Sequence, residues 1–145
     1  MNLFGVLHIS ESALVAERER AEVVTTNLAN IDTTETPQGG PYRPMEVVFS
    51  TVPVGGAGTG APEPMVDQAA RGVRVVNVVQ DEVAPVERYE PGNPHANRQG
   101  YVAYPDINPA EQMADLMDAA RAYELNATAV QATKNMIQSS IDLLR

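Results

Sequence analysis

The segment 109–145 carries the pattern that most constrains how this chain can fold. Steps of three and four residues from Met113 select apolar side chains almost without interruption, and only Lys134 breaks the series. A stripe sustained over several heptads predicts a long helix that packs against other helices. At about 1.5 Å per residue the helix would extend roughly 55 Å. The stripe consists of Met113, Leu116, Ala120, Tyr123, Ala127, Val130, Lys134, Ile137, Ile141 and Leu144.

The start of this helix is marked by capping chemistry. Asn108 is a suitable N-cap, Pro109 fits the first helical position, and Glu111 stands three residues after the cap. No Gly or Pro follows Pro109 in the sequence. We therefore expect an uninterrupted helix from Pro109 onward.

The segment 2–31 predicts a second long amphipathic helix, of roughly 45 Å. Its apolar stripe is interrupted between Glu17 and Arg20 and resumes at Ala21. The same spacing selects Leu3, Leu7, Ser10, Leu14, Glu17, Ala21, Val24, Leu28 and Ile31.

Short β-patterned stretches alternate with turns between the two helices. The patterns predict strands at 45–51, 72–80, 83–89 and 101–104, with a hairpin turn at 80–82 joining the second and third. The Gly- and Pro-rich stretch 53–64 has no apolar periodicity and is expected to be a flexible loop. The fold class is therefore α+β, with a middle that is too small to bury much surface alone and leans on the helices. If its ends lie close together, the helices run side by side and antiparallel.

The apolar stripes exceed what one chain can cover, which indicates partners. Burying the C-terminal stripe would contribute on the order of 15 kcal/mol. Ordering the backbone costs about 1 to 2 kcal/mol per residue, only partly offset by helical hydrogen bonds. We hypothesise that this segment is weakly ordered alone and becomes a firm helix on assembly.

Composition and charge argue against several function classes. The chain has 19 acidic and 10 basic residues without a Lys/Arg cluster, which disfavours nucleic acid or an anionic membrane as the partner. It has no cysteine, so disulfides and thiolate chemistry are excluded. No apolar run approaches 18 residues, and the first residues lack the features of a secretory signal, so we expect any export to proceed uncleaved by another route.

Side chains that could support catalysis are few and isolated. His8 lies on an apolar helical stretch and His95 in a Pro/Asn/Gly loop, and neither has a second ligand at metal spacing. Glu111, Asp115 and Asp118 fall on one side of the C-terminal helix, where favourable dipole charges on a solvated face explain them better than paired catalytic carboxylates do. We expect no catalytic, metal or cofactor-binding residues, and no enzyme.

Several motifs along nearly the whole chain resemble, in the same order, those of a known group of proteins. The run Asn-Leu-Ala-Asn at 27–30, followed by Asp-Thr-Thr at 32–34, resembles the signature of flagellar rod, hook and hook-associated proteins. Other stretches resemble proximal rod proteins in particular, and the pattern departs from theirs at Asn93, at 95–97 and in the insert 53–64. These stretches are PYR at 41–43, VVF at 47–49, EPGNP at 90–94, GYV at 100–102, YPDIN at 104–108, RAYELN at 121–126 and ATK at 132–134.

The resemblance implies both an architecture and a role. The helices of 1–31 and 108–145 would pair as a coiled-coil-like inner tube domain, with 32–107 as a small β-rich outer domain. The subunit would be exported unfolded through the flagellar type III apparatus without cleavage. It would then assemble with itself and with other proximal and distal rod proteins into the hollow drive shaft that transmits torque across the periplasm. No membrane insertion is expected.

The residues expected at the assembly interface combine apolar positions with polar positions that would fix register. Helices also tolerate polar residues that have no such role, and this explanation of the polar positions is equally open. The expected set is Leu7, Leu14, Val24, Asn27, Leu28, Asn30, Leu116, Tyr123, Asn126, Val130, Ile137, Ile141 and Leu144.

Two other function classes remain open at this point. A closed coiled-coil binding or regulatory module would use the same stripes but would form a closed dimer. A wall-acting periplasmic enzyme would need a carboxylate or metal cleft.

Overall fold

A computed structural model describes residues 3–53 and 71–143 of the chain. The elements, in order, are α1 (Leu3–Ala29), β1 (Met45–Pro53), β2 (Arg71–Gln80), β3 (Val86–Tyr89), β4 (Tyr101–Tyr104) and α2 (Pro109–Asp142). The predicted α+β class is confirmed. Most of the predicted loop 53–64 lies outside the described residues, although its first residue, Pro53, ends β1.

The two helices pack side by side in opposite directions. Near the end of α1, Asn27 Nδ2 donates to Gln112 Oε1 at 3.1 Å, and seven residues earlier Arg20 Nη2 donates to Asp115 Oδ1 at 3.1 Å. Residue numbers therefore fall along α2 as they rise along α1, as the predicted antiparallel pairing requires. At about 1.5 Å per residue, α1 is roughly 40 Å and α2 roughly 51 Å long, so the C-terminal end of α2 extends past the start of α1.

The predicted N-terminus of α2 is confirmed. Asn108 is the N-cap, and its Oδ1 accepts a hydrogen bond from the backbone N–H of Ala110 at 3.1 Å. Pro109 occupies the first helical position, where its missing N–H costs nothing. Glu111 lies in the first turn, where the positive end of the helix dipole favours a carboxylate.

The strands β1 and β2 form an antiparallel two-stranded ribbon that packs against α1. Pairing extends from Met45 opposite Gln80 to Pro53 opposite Arg71, with a register shift between Val48 and Phe49. The hydroxyl of Ser12 on α1 donates to Ile9 O at 2.7 Å and accepts from the backbone N–H of Val73 at 3.1 Å. This hydroxyl therefore links β2 to α1. Both strands of the ribbon pack on α1, and neither packs on α2.

The predicted hairpin between the second and third strands is wrong. β2 pairs with β1, and β3 pairs with β4 as a separate antiparallel ribbon. The N–H of Asp81 donates to the carbonyl of Pro44 at 2.8 Å, which continues the β1–β2 ladder past the end of β2. The chain then leaves the ladder through 81–85, and β3 begins only after Pro85, whose backbone has no N–H to donate.

The β3–β4 connection is stabilised by polar contacts on Glu90. Its Oε2 accepts hydrogen bonds from Asn93 Nδ2 and from the Tyr104 hydroxyl, both at 3.0 Å. The bonds from Asn93 and then Tyr104 lower the pKa of Glu90, and the bond to Glu90 raises the pKa of Tyr104. Gly100 closes the loop with φ +86°, a left-handed conformation that side chains disfavour.

The apolar core of the described residues is thin. The buried hydrophobic side chains among them are Ala16, Val24, Val102 and Ala119, of which two are alanines. Full burial of a valine contributes about 1.5 to 3 kcal/mol, and an alanine contributes less. The described part of a lone chain therefore has little hydrophobic stabilisation relative to the length of its helices.

Gly100→Ala is expected to destabilise the β3–β4 hairpin by about 1 to 3 kcal/mol. The new Cβ would lie 2.8 Å from Tyr89 Cε2 and would sit on a residue with positive φ. Gly92→Ala is the matched control, because a Cβ there meets nothing within 4 Å. Amide hydrogen exchange of the β3 and β4 residues measures the effect. Equal exchange rates in the two variants would contradict the role assigned to Gly100.

Candidate functional site

The side chain of Asn27 connects four parts of the chain. It is 3 % exposed, and its amide makes four hydrogen bonds. Nδ2 donates to Met45 O at 2.8 Å and to Gln112 Oε1 at 3.1 Å, while Oδ1 accepts from Met45 N at 2.9 Å and from the Tyr42 hydroxyl at 3.0 Å. Two donors and two acceptor sites are all that an asparagine amide offers. Asn27 therefore joins α1, the segment before β1, β1 and α2 with no hydrogen-bonding capacity left over.

Tyr42 keeps its proton in this arrangement. Burial raises the pKa of its phenol above the ordinary value, because the charged phenolate is disfavoured away from water. The hydroxyl therefore stays a donor to Asn27 Oδ1 at neutral pH. The backbone N–H of Tyr42 also donates to Thr33 O at 3.0 Å.

Asn30 terminates α1 through local bonds. Its Nδ2 donates to Thr26 O at 2.8 Å, and its Oδ1 accepts from the Thr33 hydroxyl at 3.1 Å. The Asn-Leu-Ala-Asn motif thus has two structural tasks in this chain. Asn27 ties the helices to the strands, and Asn30 with Thr33 turns the chain out of α1.

Small and polar side chains form the face of α2 that packs on α1. Ala119 and Thr133 are the buried residues of α2, and Gln112 and Asn126 are half-buried at the same seven-residue spacing. The hydroxyl of Thr133 donates to Ala129 O at 2.9 Å, so its burial leaves no unpaired donor. Small residues on this line allow the two helix backbones to approach closely.

Most large apolar side chains of α2 are exposed. Leu125 is 72 % exposed and Ile141 54 %, whereas Tyr123, which is 44 % exposed, lines a groove beside α1. α1 is the one other described helix or strand against which α2 packs, so no other described helix or strand covers this surface. The large apolar residues exposed on α2 are Met113, Met117, Tyr123, Leu125, Met136, Ile141 and Leu143.

The structure divides the predicted interface residues among three environments. Val24 and Asn27 are buried within the chain, and Tyr123 and Ile141 are exposed, while Leu144 lies outside the described residues. The remaining ones are half-buried along the edges of the helix pair, and Asn126 among them donates from Nδ2 to Ala122 O at 2.8 Å. The half-buried set is Leu7, Leu14, Leu28, Asn30, Leu116, Asn126, Val130 and Ile137.

Sequence reasoning missed two features of this surface. The intrachain contact of α2 is centred about one residue away from the apolar stripe, on the line of Ala119 and Thr133. The available signal for it was the line of small or polar residues seven apart, Gln112, Ala119, Asn126 and Thr133. The exposed apolar residues of the β1–β2 ribbon were also missed, and they lie on both of its faces. They are Val48, Phe49, Val76, Val78 and Val79.

The two histidines form surface pairs with glutamates. His8 Nδ1 lies 3.6 Å from Glu11 Oε2, and His95 Nδ1 lies 2.7 Å from Glu35 Oε2, which links the β3–β4 loop to the turn after α1. Within residues 3–53 and 71–143, no group of three or more His, Asp or Glu side chains is placed to hold a metal ion. No helix in these ranges is both long and apolar enough to span a bilayer.

Comparison with known proteins connects this surface to a family. A family model for flagella basal body rod proteins matches residues 7–35, and a model for the C-terminal part of flagellar basal body rod FlgEFG proteins matches residues 98–143. The flagellar basal-body rod protein FlgC of Borreliella burgdorferi is 32% identical over 151 residues, covering 100% of this chain and 99% of the relative. FlgC of Escherichia coli O6:H1 is 35% identical over 143 residues, covering 99% and 98%. FlgC of Bacillus subtilis is 36% identical over 157 residues, covering 99% of each.

Asn27→Ala is expected to destabilise the chain by about 2 to 4 kcal/mol, because the substitution leaves Gln112, Tyr42 and the Met45 backbone without their buried partner. Asn126→Ala is the control, since that side chain bonds only within its own helix turn. Denaturant unfolding measures both. A loss below about 1 kcal/mol for Asn27→Ala would show that water replaces these bonds without cost.

Proposed function

The chain belongs to the FlgC family of flagellar basal-body rod proteins and is a structural subunit of the rod, and we propose that it assembles helically with other rod proteins into a hollow shaft. This shaft transmits torque across the periplasm. Family membership favours this role over the closed regulatory module that the helix stripes alone left open. It also places the chain in the flagellar basal body.

The observation that supports helical assembly is the uncovered face of α2. The described chain buries small residues between its helices and leaves large apolar residues of α2 in water. Exposed apolar area of this kind is covered in assemblies by neighbouring molecules. A contact between unlike faces of successive copies generates an open helical array when its rotation does not close a ring.

The proposed arrangement in the rod follows from what packs on α1. The helical segments 1–31 and 108–145 form the inner domain, and 32–107 forms the outer domain. The β1–β2 ribbon packs on α1 and leaves α2 free, so neighbours can reach α2 without displacing the strands.

The proposed partners are further copies of this chain and the other proximal and distal rod proteins. The subunit reaches the periplasmic rod through the flagellar type III export apparatus, without removal of a signal peptide. The thin core supports export in an unfolded state, because a marginally stable chain is easily unfolded for passage through a narrow channel. We propose no catalytic activity for it.

Ile141→Asp is expected to prevent incorporation into the rod. Ile141 is 54 % exposed on the end of α2 that extends past α1, so a charge there costs the lone chain little but opposes burial against a neighbour. The measurement is the amount of subunit in isolated basal bodies, together with swimming motility. Ser139→Asp adds the same charge at another exposed position of that helix turn and is the control. Normal motility with Ile141→Asp would contradict the proposed assembly.

The part of α2 that extends past α1 is expected to be only partly formed in a dilute monomer. α2 contains 34 residues, and the ordering cost of a segment that packs on nothing in the lone chain is not offset by burial. Far-ultraviolet circular dichroism at falling concentration measures the helix content. A dilute monomer with α2 complete would contradict coupled folding and assembly.

A further inference from the structure

Glu17 carries an unsatisfied carboxylate oxygen in a groove between the two helices. This groove, called the α1–α2 groove below, is lined by Glu17, Arg18, Ala21, Ala119, Ala120, Tyr123 and Glu124. Oε2 of Glu17 is buried and has no hydrogen-bond partner. Its ion contact with Arg20 Nη1 is 3.8 Å long, whereas Arg20 Nη2 makes a 3.1 Å hydrogen bond to Asp115. A buried carboxylate oxygen without a hydrogen-bond donor costs free energy, so a donor brought to the Glu17 carboxylate, which is 21 % exposed, would stabilise it.

The floor of the α1–α2 groove is shaped to accept another helix. Ala21, Ala119 and Ala120 leave room between the ridges of α1 and α2. Leu7, Leu14, Ala21 and Leu28 repeat every seven residues along the same edge of α1 and are half-buried. Apolar positions seven apart on the edge of a helix pair are the usual contact line for a further helix.

The C-terminal part of α2 has the complementary charge. Residues 125–141 contain no acidic side chain and one cation, Lys134, in a chain whose formal net charge is −9. Lys134 is exposed and makes no ion pair with the described residues. It shares a helix face with Ile137 and Ile141, which lie three and seven residues further along.

The arginines beside Glu17 in the same chain make their hydrogen bonds elsewhere, Arg18 to Glu22 at 2.8 Å and Arg20 to Asp115 at 3.1 Å. Lys134 of the same chain is too far away to take their place. Ala119 and Ala120 line the groove beside Glu17, and Lys134 lies 14 residues beyond Ala120 on the same helix. That separation is roughly 21 Å along the axis, more than three times what a lysine side chain can span.

We propose that the C-terminal part of α2 from a second copy docks in the α1–α2 groove and places Lys134 on Glu17. The two faces differ, and the copies are shifted by about 20 Å along the helix axis. The contact is therefore head-to-tail and propagates, as a rod requires. This inference rests on the proposed assembly into the rod and names one of its contacts.

Charge reversal tests the contact. Glu17→Lys and Lys134→Glu, each replacing the wild type in cells, are expected to reduce the subunit in isolated basal bodies by roughly tenfold, because each places like charges together at a buried contact. The double variant, in which every copy carries both changes, restores the pair with opposite polarity and should recover to within about twofold of wild type. Glu19→Lys is the control, since Glu19 is exposed on α1 and lies beside the β1–β2 ribbon instead of the groove.

The outcomes separate this contact from the rod assignment. Wild-type subunit missing from basal bodies would overturn the proposed function itself. The Glu17–Lys134 contact alone would be overturned if the wild-type subunit is present and either single variant is incorporated normally. It would also be overturned if the double variant is incorporated no better than the single variants. Circular dichroism of each purified variant, compared with wild type, identifies any variant that fails to fold. Glu17→Gln, which keeps shape and loses charge, replaces Glu17→Lys in that case and should reduce incorporation less than the reversal but more than Glu19→Lys.

Cysteine cross-linking identifies the occupant. The chain has no cysteine, so copies with Glu17→Cys expressed together with copies with Lys134→Cys contain no other thiol of this protein. The expected product, in basal bodies treated with a short bismaleimide, is a linked dimer that contains one copy of each variant. The spacer of the reagent replaces the length of the lysine and glutamate side chains, which a disulfide is too short to span. A cross-link of Lys134→Cys to a different rod protein, or none at all, would contradict docking by a second copy.

Discussion

The close contact between α1 and α2 determines which surfaces the chain leaves exposed. Because Ala119 and Thr133 occupy the middle of that contact, the helices approach through small side chains. Helices that pack this way gain dispersion contacts between backbones and bury little apolar side-chain area. The large residues of α2 are consequently displaced to its outer surface. The small residues at the helix contact therefore lower the stability of the lone chain, and the large residues outside it give neighbouring molecules an apolar surface to bind.

A single polar residue keeps this helix pair in register with the strands. All the hydrogen-bonding groups of the Asn27 amide are paired within the chain, and its partners belong to α2, to β1 and to the segment that precedes β1. Hydrogen bonds of this kind are directional, so they fix the position of β1 along α1 more sharply than apolar packing can. Ser12 makes a second link, to β2, about fifteen residues earlier on the same helix. These two points hold the ribbon against α1.

Much of the fold could be predicted from local sequence signals. The helix periodicity and the Asn108–Pro109 cap predicted α2, and valine-rich stretches predicted strands close to their true bounds. Strand pairing could not be predicted, because residues 80–82 have turn chemistry but the partner of β2 is decided by the non-local contact with β1. Which side of α2 packs on α1 was only partly predictable. Apolar periodicity locates the residues that are to be buried, but it does not show whether they are buried by the same chain or by another.

The β3–β4 hairpin packs against no other described helix or strand. Its shape depends on its own Glu90 contacts, on the edge-on pair of Tyr89 and Tyr101 with ring centres 5.3 Å apart, and on the His95–Glu35 contact with the neighbouring turn. Changes of sequence at the exposed positions of this hairpin therefore leave the packing of the helices intact, whereas Val102 of β4 is buried. Exposed residues of the hairpin can therefore differ between related subunits without a compensating change in the contact between α1 and α2.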